Sequence, residues 1–243
     1  MKTLIIIPSR LAATRLPGKP LLKINGLSII SHVFKRAEKA KIGDVIVATE
    51  NQEIMDDVKK NGGEAVLTSN KHNTGTDRIY EALQKTKIPN IDLVVNLQGD
   101  EPLIDVDDIR NLNQFMINTN SKIGTLASKI LDKKLYDNQS VVKVKTKEEL
   151  NDKNFPEAIY FKRKTLKKDL NTYHHVGIYC YEIGTLKDFV SYKQSPNEAK
   201  YKLEQLRALE NKIKINVALA KSHSIGIDTK EDFVAIKKIM EYK

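Results

Sequence analysis

The chain has 243 residues, of which 40% are hydrophobic and 30% charged, with 11 Gly, 7 Pro and one Cys. This composition excludes a disordered, collagen-like or disulfide-stabilised protein and predicts one globular domain over residues 1–243, or at most two small lobes. The lone Cys180 cannot form an internal disulfide, and the apolar run at the N-terminus is too short for a secretion signal or a membrane span. We therefore predict a cytoplasmic protein without membrane insertion.

The net charge of +10 allows nucleic acid, anionic lipid or phosphorylated substrates as partners. Only 7 of the 41 cations are Arg and the Lys are scattered, whereas nucleic-acid recognition favours clustered Arg. An aromatic content of 6% without Trp also offers little material for base stacking. We predict no nucleic-acid partner. One dense run, Lys162–Lys168, either lines the entrance for a charged ligand or is a solvated loop.

The first half of the chain alternates apolar runs with helical patterns. Strands are predicted at 3–8, 45–49, 64–68 and 92–97, and helices at 28–41, 52–61, 75–86 and 106–118. This rhythm predicts an α/β fold with a doubly wound, mostly parallel, Rossmann-like sheet. Such sheets bind ligands beyond the carboxyl ends of their strands.

The second half has more strands and fewer helices. Strand patterns occur at 124–130, 140–145, 157–162 and 175–181, followed by a helix at 197–211, strands at 213–219 and 224–227, and a final helix from about 230. We expect a small antiparallel extension at about 124–195. Thr229 or Asp228 is expected to cap the final helix.

Two loops have the composition of an anion site. The loop after the first strand carries Arg10, Arg15 and Lys19 beside hydroxyl groups, which suits a polyphosphate unless it is an ordinary basic connection. It contains neither a GxGxxG nor a GxxxxGK[ST] pattern, which counts against dehydrogenases and P-loop NTPases. The second loop leads into a helix with Thr74 or Thr76 as an N-cap. Arg78 in the first turn opposes the helix dipole unless it has an anionic partner.

Carboxylates follow two predicted strands. Asp100 lies in Gln98-Gly99-Asp100-Glu101-Pro102 after the central strand, and Asp228 ends a short strand. Two carboxylates at one sheet edge can hold Mg²⁺ bound to nucleotide phosphates, although a simple turn is the alternative.

Two further patterns could form a substrate wall. His175, Gly177, Tyr179 and Tyr181 alternate on one face of a predicted strand, and Glu204 and Gln205 flank an apolar helix stripe. A core rim and a solvated helix side are the structural alternatives.

Six segments occur together in the order and spacing of one enzyme family. They are PSRLAATRLPGKPL, HNTGTDR, VVNLQGDEPLI, HHVGIYCY, KLEQLRALE and GIDTKEDF, within about residues 3 to 240. The chain resembles the 3-deoxy-manno-octulosonate (Kdo) cytidylyltransferases, also called CMP-Kdo synthetases. The resemblance implies Mg²⁺-dependent transfer of CMP from CTP to the anomeric hydroxyl of Kdo, with release of pyrophosphate, for lipopolysaccharide biosynthesis. It also implies a homodimer, with the antiparallel subregion at about 124–195 serving acceptor binding and dimerisation.

The resemblance assigns roles to individual residues. It implies triphosphate contacts at Arg10, Thr14, Arg15 and Lys19, and a cytidine pocket at Pro8, Ser9, Thr68, Thr74 and Gly75. It implies metal ligands at Asp100 and Asp228, and acceptor contacts at Arg78, Gln98, Arg163, His175, Tyr179, Glu204 and Gln205. Lys19, Arg15, Asp100 and Asp228 are the catalytic residues in this scheme, and their contribution is mainly electrostatic.

The chain departs from the family on the acceptor side. Residues 162–167 read Lys-Arg-Lys-Thr-Leu-Lys where the family commonly has Ser-Arg-Ala-Thr-Ile-Pro, and His174 stands where an Arg is common. The alternative acceptors are therefore 8-amino-3,8-dideoxy-manno-octulosonate or another acidic sugar. A sugar or alditol phosphate is a further alternative, and it would need a denser cationic pocket.

Overall fold

The computed structural model describes residues 1–12, 15–72, 74–132, 134–164, 170–221 and 226–242. The chain divides into two compact units, the first made of Met1–Arg110 with the segment from residue 224 onward, and the second of residues 111–223. In chain order the elements are β1 (Thr3–Ser9), a 3₁₀ turn (Lys19–Leu21), β2 (Lys23–Ile24), β3 (Leu27–Ser28), α1 (Ile29–Ala40), β4 (Gly43–Thr49), α2 (Gln52–Lys60), β5 (Ala65–Leu67), α3 (Gly75–Lys85), β6 (Leu93–Asn96), α4 (Val106–Thr119), β7 (Ile123–Ser128), α5 (Lys134–Asp137), β8 (Lys143–Thr146), β9 (Ala158–Lys162), β10 (Thr172–Glu182), α6 (Ile183–Ser191), α7 (Pro196–Tyr201), α8 (Leu206–Glu210), β11 (Ile215–Leu219) and α9 (Lys230–Glu241).

The first unit contains a parallel sheet with strand order β6-β1-β4-β5. Residues 4–7 of β1 are fully buried, as expected for a parallel strand covered on both faces. Helices α3, α1 and α2 pack against β1, β4 and β5 respectively. Because the strands are parallel, their carboxyl ends meet at one edge of the sheet, and the loops predicted to bind anions emerge there.

The second unit is mostly antiparallel. Strand β7 pairs parallel with β11 and antiparallel with β10, and β8 pairs antiparallel with both β10 and β9. An irregularity in β10 between Val176 and Tyr179 changes its register with β7. The predicted α/β class, a mostly parallel sheet with an antiparallel extension, is confirmed. The extension at 124–195 lies inside the second unit, and the grouping of both units into one domain stays a prediction.

The structure corrects the helix predicted at 197–211, which is interrupted between α7 and α8. Lys202 ends α7 in the left-handed conformation with φ 53°, and its N–H donates to the Glu198 carbonyl. The break lets Arg207 form an ion pair with Glu198, and both side chains are buried. In one continuous helix these residues would lie about 13 Å apart along the axis, too far to pair.

Two smaller elements also differ from the sequence predictions, and one predicted cap is confirmed. Helix α6 was not predicted, and the structure shows Glu182 capping it by accepting hydrogen bonds from the N–H groups of Gly184 and Thr185. Residues 226 and 227, the described half of the predicted strand 224–227, do not form a strand. The cap of α9 is Thr229, one of the two predicted residues. None of the described helices is long and apolar enough to cross a membrane.

Candidate active site

A pocket of about 360 Å³ lies in the first unit where β1 and β6 end and α3 begins. The predicted site residues that line it are Pro8, Ser9, Arg10, Arg15, Lys19, Thr74, Gly75, Arg78, Gln98, Asp100 and Asp228. The structure brings these residues together at one pocket, and their individual roles in binding stay predictions. Thr14, predicted to contact the triphosphate, lies outside the described residues.

The loop after β1 is held at both ends. The N–H of Leu11 donates to the Asn51 side-chain oxygen at 2.9 Å, which ties the loop to the start of α2. Gly18 has φ 67°, a conformation that favours glycine, and its N–H contacts the Leu11 carbonyl at 3.4 Å. Lys19 follows Gly18 directly, and its side chain lines the pocket.

Lys19 joins the two carboxylates that the sequence could not place together. Its ammonium lies 2.6 Å from an Asp100 oxygen and 3.5 Å from an Asp228 oxygen, and its side chain is only 14% exposed. Arg15 adds a contact to Asp228 at 3.1 Å. The Ile227 N–H donates to the Asp100 carbonyl at 2.9 Å, which fixes the two segments side by side. Two cations and two carboxylates therefore alternate at the pocket wall.

Arg78 has an anionic partner inside the protein. Its guanidinium forms an ion pair with Glu50, directly after β4, and donates to the Thr68 hydroxyl at 2.6 Å. The Arg78 side chain is 4% exposed. Thr68, predicted to contact cytidine, therefore holds Arg78 in place. The predicted N-cap of α3 is also confirmed. The Thr74 hydroxyl accepts a hydrogen bond from the Asp77 N–H at 3.2 Å.

His72 lines the pocket but was not predicted as a site residue. Its Nε2 contacts the Glu81 carboxylate, which also accepts the Ser69 N–H at 2.9 Å and pairs with Lys85 at 2.7 Å. Burial raises the pKa of Glu81, but the hydrogen bonds from Lys85, His72 and Ser69 outweigh it and lower the pKa from 4.5 to about 2. An ionised carboxylate only accepts hydrogen bonds, so Nε2 of His72 carries the proton.

In the second unit, His175 and Tyr179 share the predicted strand face, with ring centroids 5.4 Å apart. Nε2 of His175 lies 3.0 Å from the Thr125 hydroxyl. Burial, with a smaller contribution from His174, lowers the pKa of His175 from 6.5 to about 3. The imidazole is therefore neutral near pH 7.

Tyr179 presents a buried hydroxyl that makes no hydrogen bond to any residue described in the structure. Burial, with Tyr181 and Glu204 nearby, raises the pKa of this hydroxyl well above 10.0. A neutral buried hydroxyl without a partner costs free energy unless a ligand or water satisfies it. Gln205, next to Glu204, is also buried at 8% exposure. Their contact with an acceptor stays a prediction.

Arg163 is the predicted acceptor residue whose contacts differ most from expectation. Its guanidinium donates to backbone carbonyls of the second unit, including those of Gln139 at 3.2 Å and Ser140 at 3.3 Å. No acidic side chain is among its hydrogen-bond partners in the described residues. A direct acceptor contact by Arg163 stays a prediction.

Comparison with known proteins gives the family. The profile of the cytidylyltransferases matches residues 4–215. The chain belongs to the cytidylyltransferase family. It is 44% identical to a 3-deoxy-manno-octulosonate cytidylyltransferase of Rhodopseudomonas palustris (strain BisB18), covering 99% of this chain and 98% of that protein. It is 42% identical to a protein of the same description from Thermodesulfovibrio yellowstonii, with the same coverage of each.

The solved structures agree with this family. A CMP:2-keto-3-deoxy-manno-octonic acid synthetase complexed with CTP has a TM-score of 0.90 and 32% identity, covering 100% of this chain and 99% of that chain. A cytidylyltransferase from Leptospira borgpetersenii, 21% identical with a TM-score of 0.65, shares the fold. The pocket of this cytidylyltransferase thus has cations suited to phosphates and a pair of carboxylates beside them.

Sequence reasoning missed the residues that hold the site rather than form it. Glu50 could have been noticed as an acid directly after β4, at the edge of the sheet where ligands bind. Glu81 lies on α3 nine residues after His72, and this spacing spans a loop and a helix start, so no helical pattern joins them. Their role is electrostatic support of pocket residues.

Proposed function

We propose that this cytidylyltransferase transfers CMP from CTP to the anomeric hydroxyl of Kdo, giving CMP-Kdo and pyrophosphate for lipopolysaccharide biosynthesis. The observation that carries the proposal is Lys19 between Asp100 and Asp228 at the wall of a polar pocket, in a chain related over its full length to Kdo cytidylyltransferases. A homodimer and a cytoplasmic location stay predictions from the sequence.

The pocket fits a nucleotide triphosphate by charge. Lys19 and Arg15 can donate to phosphate oxygens, and Arg10 lines the same pocket. The start of α3 at Thr74 and Gly75 presents backbone N–H groups, which favour anions. These groups orient the triphosphate and stabilise the charge that develops as the acceptor oxygen attacks the α-phosphorus and pyrophosphate leaves.

The carboxylates fit Mg²⁺. The oxygens of Asp100 and Asp228 that contact Lys19 lie within about 6 Å of each other, since each is close to the same ammonium. Among the described residues no group of three or more potential ligands gathers, and Mg²⁺ commonly uses one or two carboxylates with phosphate oxygens and water. When bound, the ion neutralises phosphate charge and makes the acceptor hydroxyl more acidic.

The acceptor is an acidic sugar in this proposal. His175 is neutral, so it can position a hydroxyl but brings no charge to a carboxylate. The Tyr179 hydroxyl, which has no hydrogen-bond partner among the described residues, offers a second polar contact. Arg78 remains the predicted carboxylate contact, although its ion pair with Glu50 means that an acceptor carboxylate would share the guanidinium.

The test is pyrophosphate release from CTP with purified protein, Mg²⁺ and a panel of acceptors. We expect Kdo to be used with a higher kcat/KM than its 8-amino analogue, and no release with an alditol phosphate. Asp100→Asn should lower kcat about 100-fold or more, because a group acting on transition-state charge is lost. Asp107→Asn, an exposed carboxylate on α4, is the matched control. A near-normal kcat for Asp100→Asn at saturating Mg²⁺ would refute the metal assignment, and a preference for the 8-amino analogue would change the acceptor.

A further inference from the structure

Lys143 on β8 is a fully buried lysine, with 0% exposure, whose ammonium contacts only backbone oxygens among the described residues. It donates to the carbonyls of Asn138 at 2.7 Å, Val141 at 2.9 Å and Arg163 at 2.7 Å. An ammonium has three N–H donors, and all three are used. A buried charge is costly, so a lysine held in this way has a specific structural task.

Arg163 continues the same arrangement. Its guanidinium donates to Gln139 at 3.2 Å and Ser140 at 3.3 Å, in the turn that Lys143 also holds. It reaches Tyr201 at 3.4 Å and Lys202 at 3.5 Å, the carbonyls at the end of α7. A cation at a helix C-terminus is favourable because the last carbonyls have no partner within the helix. These contacts use all but one of the N–H donors of a guanidinium.

Lys143 and Arg163 therefore connect three segments of the second unit, which are the turn 138–141, the end of β9 and the end of α7. The turn 138–141 continues into Val142, whose carbonyl accepts the His175 N–H at 2.9 Å. The segment 201–202 continues into residues 204–205, two of the predicted acceptor contacts. The predicted acceptor wall consists of His175 on one side and residues 204–205 on the other. The backbone segments next to both sides have carbonyls that accept hydrogen bonds from Lys143 and Arg163, and these two residues hold the segments together.

We propose that Lys143 and Arg163 form a carbonyl brace that sets the position of Glu204 and Gln205 relative to His175. They are positioning residues for the acceptor, and Lys143 does not touch it. This inference rests on the proposed function, because it concerns binding of an acidic sugar beside these residues. The brace also gives Arg163 a role that differs from direct contact with the acceptor carboxylate.

The experiment uses Lys143→Met, Arg163→Met and the double variant, with Lys187→Met as a control. Methionine keeps much of the lysine stem and removes the charged donors. Lys187 is an exposed lysine on α6 in the same unit. For each protein, KM for Kdo, KM for CTP and kcat are measured well below its unfolding temperature, and CTP affinity is measured separately by titration without acceptor.

We expect each brace variant to raise KM for Kdo about tenfold or more, since small displacements of positioning groups have large effects. KM and affinity for CTP should change less than about twofold. The double variant should have an effect smaller than the product of the two single effects, because both residues hold the same turn. Lys187→Met should match the unaltered protein.

Other outcomes overturn the proposal in distinguishable ways. If the unaltered protein does not release pyrophosphate from CTP and Kdo, the proposed function itself fails. If it does, and the brace variants only lower the unfolding temperature, Lys143 and Arg163 are purely structural. If Arg163→Met raises KM for Kdo while Lys143→Met does not, and the effects multiply, Arg163 contacts the acceptor directly. Should Lys143→Met fail to fold, an unchanged KM for Kdo in Arg163→Met would refute the brace.

Discussion

Burial of His175 should make the free energy of unfolding depend on pH in the acidic range. Its pKa is lowered from 6.5 to about 3, mainly because burial disfavours the charged imidazole. The unfolded chain takes up a proton on this residue near pH 6.5, whereas the folded chain does so only near pH 3. The unfolded state therefore binds more protons between these values, and stability falls as the pH falls through this window.

The size of the effect follows from the shift. Each pH unit below 6.5 should cost up to about 1.4 kcal/mol, which amounts to about 2 kcal/mol at pH 5. The comparison is urea unfolding of the unaltered protein and His175→Gln at pH 8 and pH 5, because glutamine keeps hydrogen-bonding groups but does not titrate. We expect the unaltered protein to lose about 2 kcal/mol more than the variant on acidification. A constant difference between the two proteins at both pH values would refute the reasoning.

Two further predictions concern stability. Glu198→Ala should lower the free energy of unfolding by about 3–5 kcal/mol in a urea titration, because it removes the carboxylate that pairs with the buried Arg207 guanidinium, and replacing both residues by leucine should cost less. A loss below about 1 kcal/mol for Glu198→Ala would contradict this. Gly43→Ala should destabilise the protein by about 1–3 kcal/mol or more, since the added Cβ would lie 1.8 Å from the Thr3 carbonyl oxygen. A melting temperature equal to that of the unaltered protein would contradict this, because it would mean that the paired ends of β1 and β4 shift to make room for the added Cβ.

The parallel half of the fold could be predicted from sequence because local signals and tertiary structure agree there. The apolar run at 3–8 is long enough for a buried strand and was observed as β1. The cap at Thr74 is a local preference that the structure preserves. By contrast, the periodicity at 197–211 is helical on both sides of Lys202, and the break there brings Glu198 and Arg207 together as an ion pair. A pattern of apolar residues contains no information about such a pair.

The candidate site shows the same division. Arg10, Gln98 and Asp100 line the pocket and follow the ends of β1 and β6, where the topology brings them to one edge of the sheet, as the sequence predicted. The sequence did not predict the acidic side chains that pair with pocket residues. Glu50 and Glu81 come from different elements, and their contacts with Arg78 and His72 depend on how those elements pack. Sequence spacing predicts neighbours along an element, whereas these contacts join separate elements.

The pairing of the pocket cations also bears on the net charge of +10. Lys19 contacts Asp100, and Arg15 contacts Asp228. Arg78, the third of these pocket cations, is paired with Glu50. A polyanion that brings only negative charge must compete with these carboxylates for the same cations. For a triphosphate accompanied by a divalent cation, as in the proposed function, this penalty would be offset, because the carboxylates would gain the metal as a partner while the phosphates pair with the cations. The arrangement therefore favours a metal–nucleotide complex over a nucleic-acid backbone, which the overall charge alone would not have distinguished.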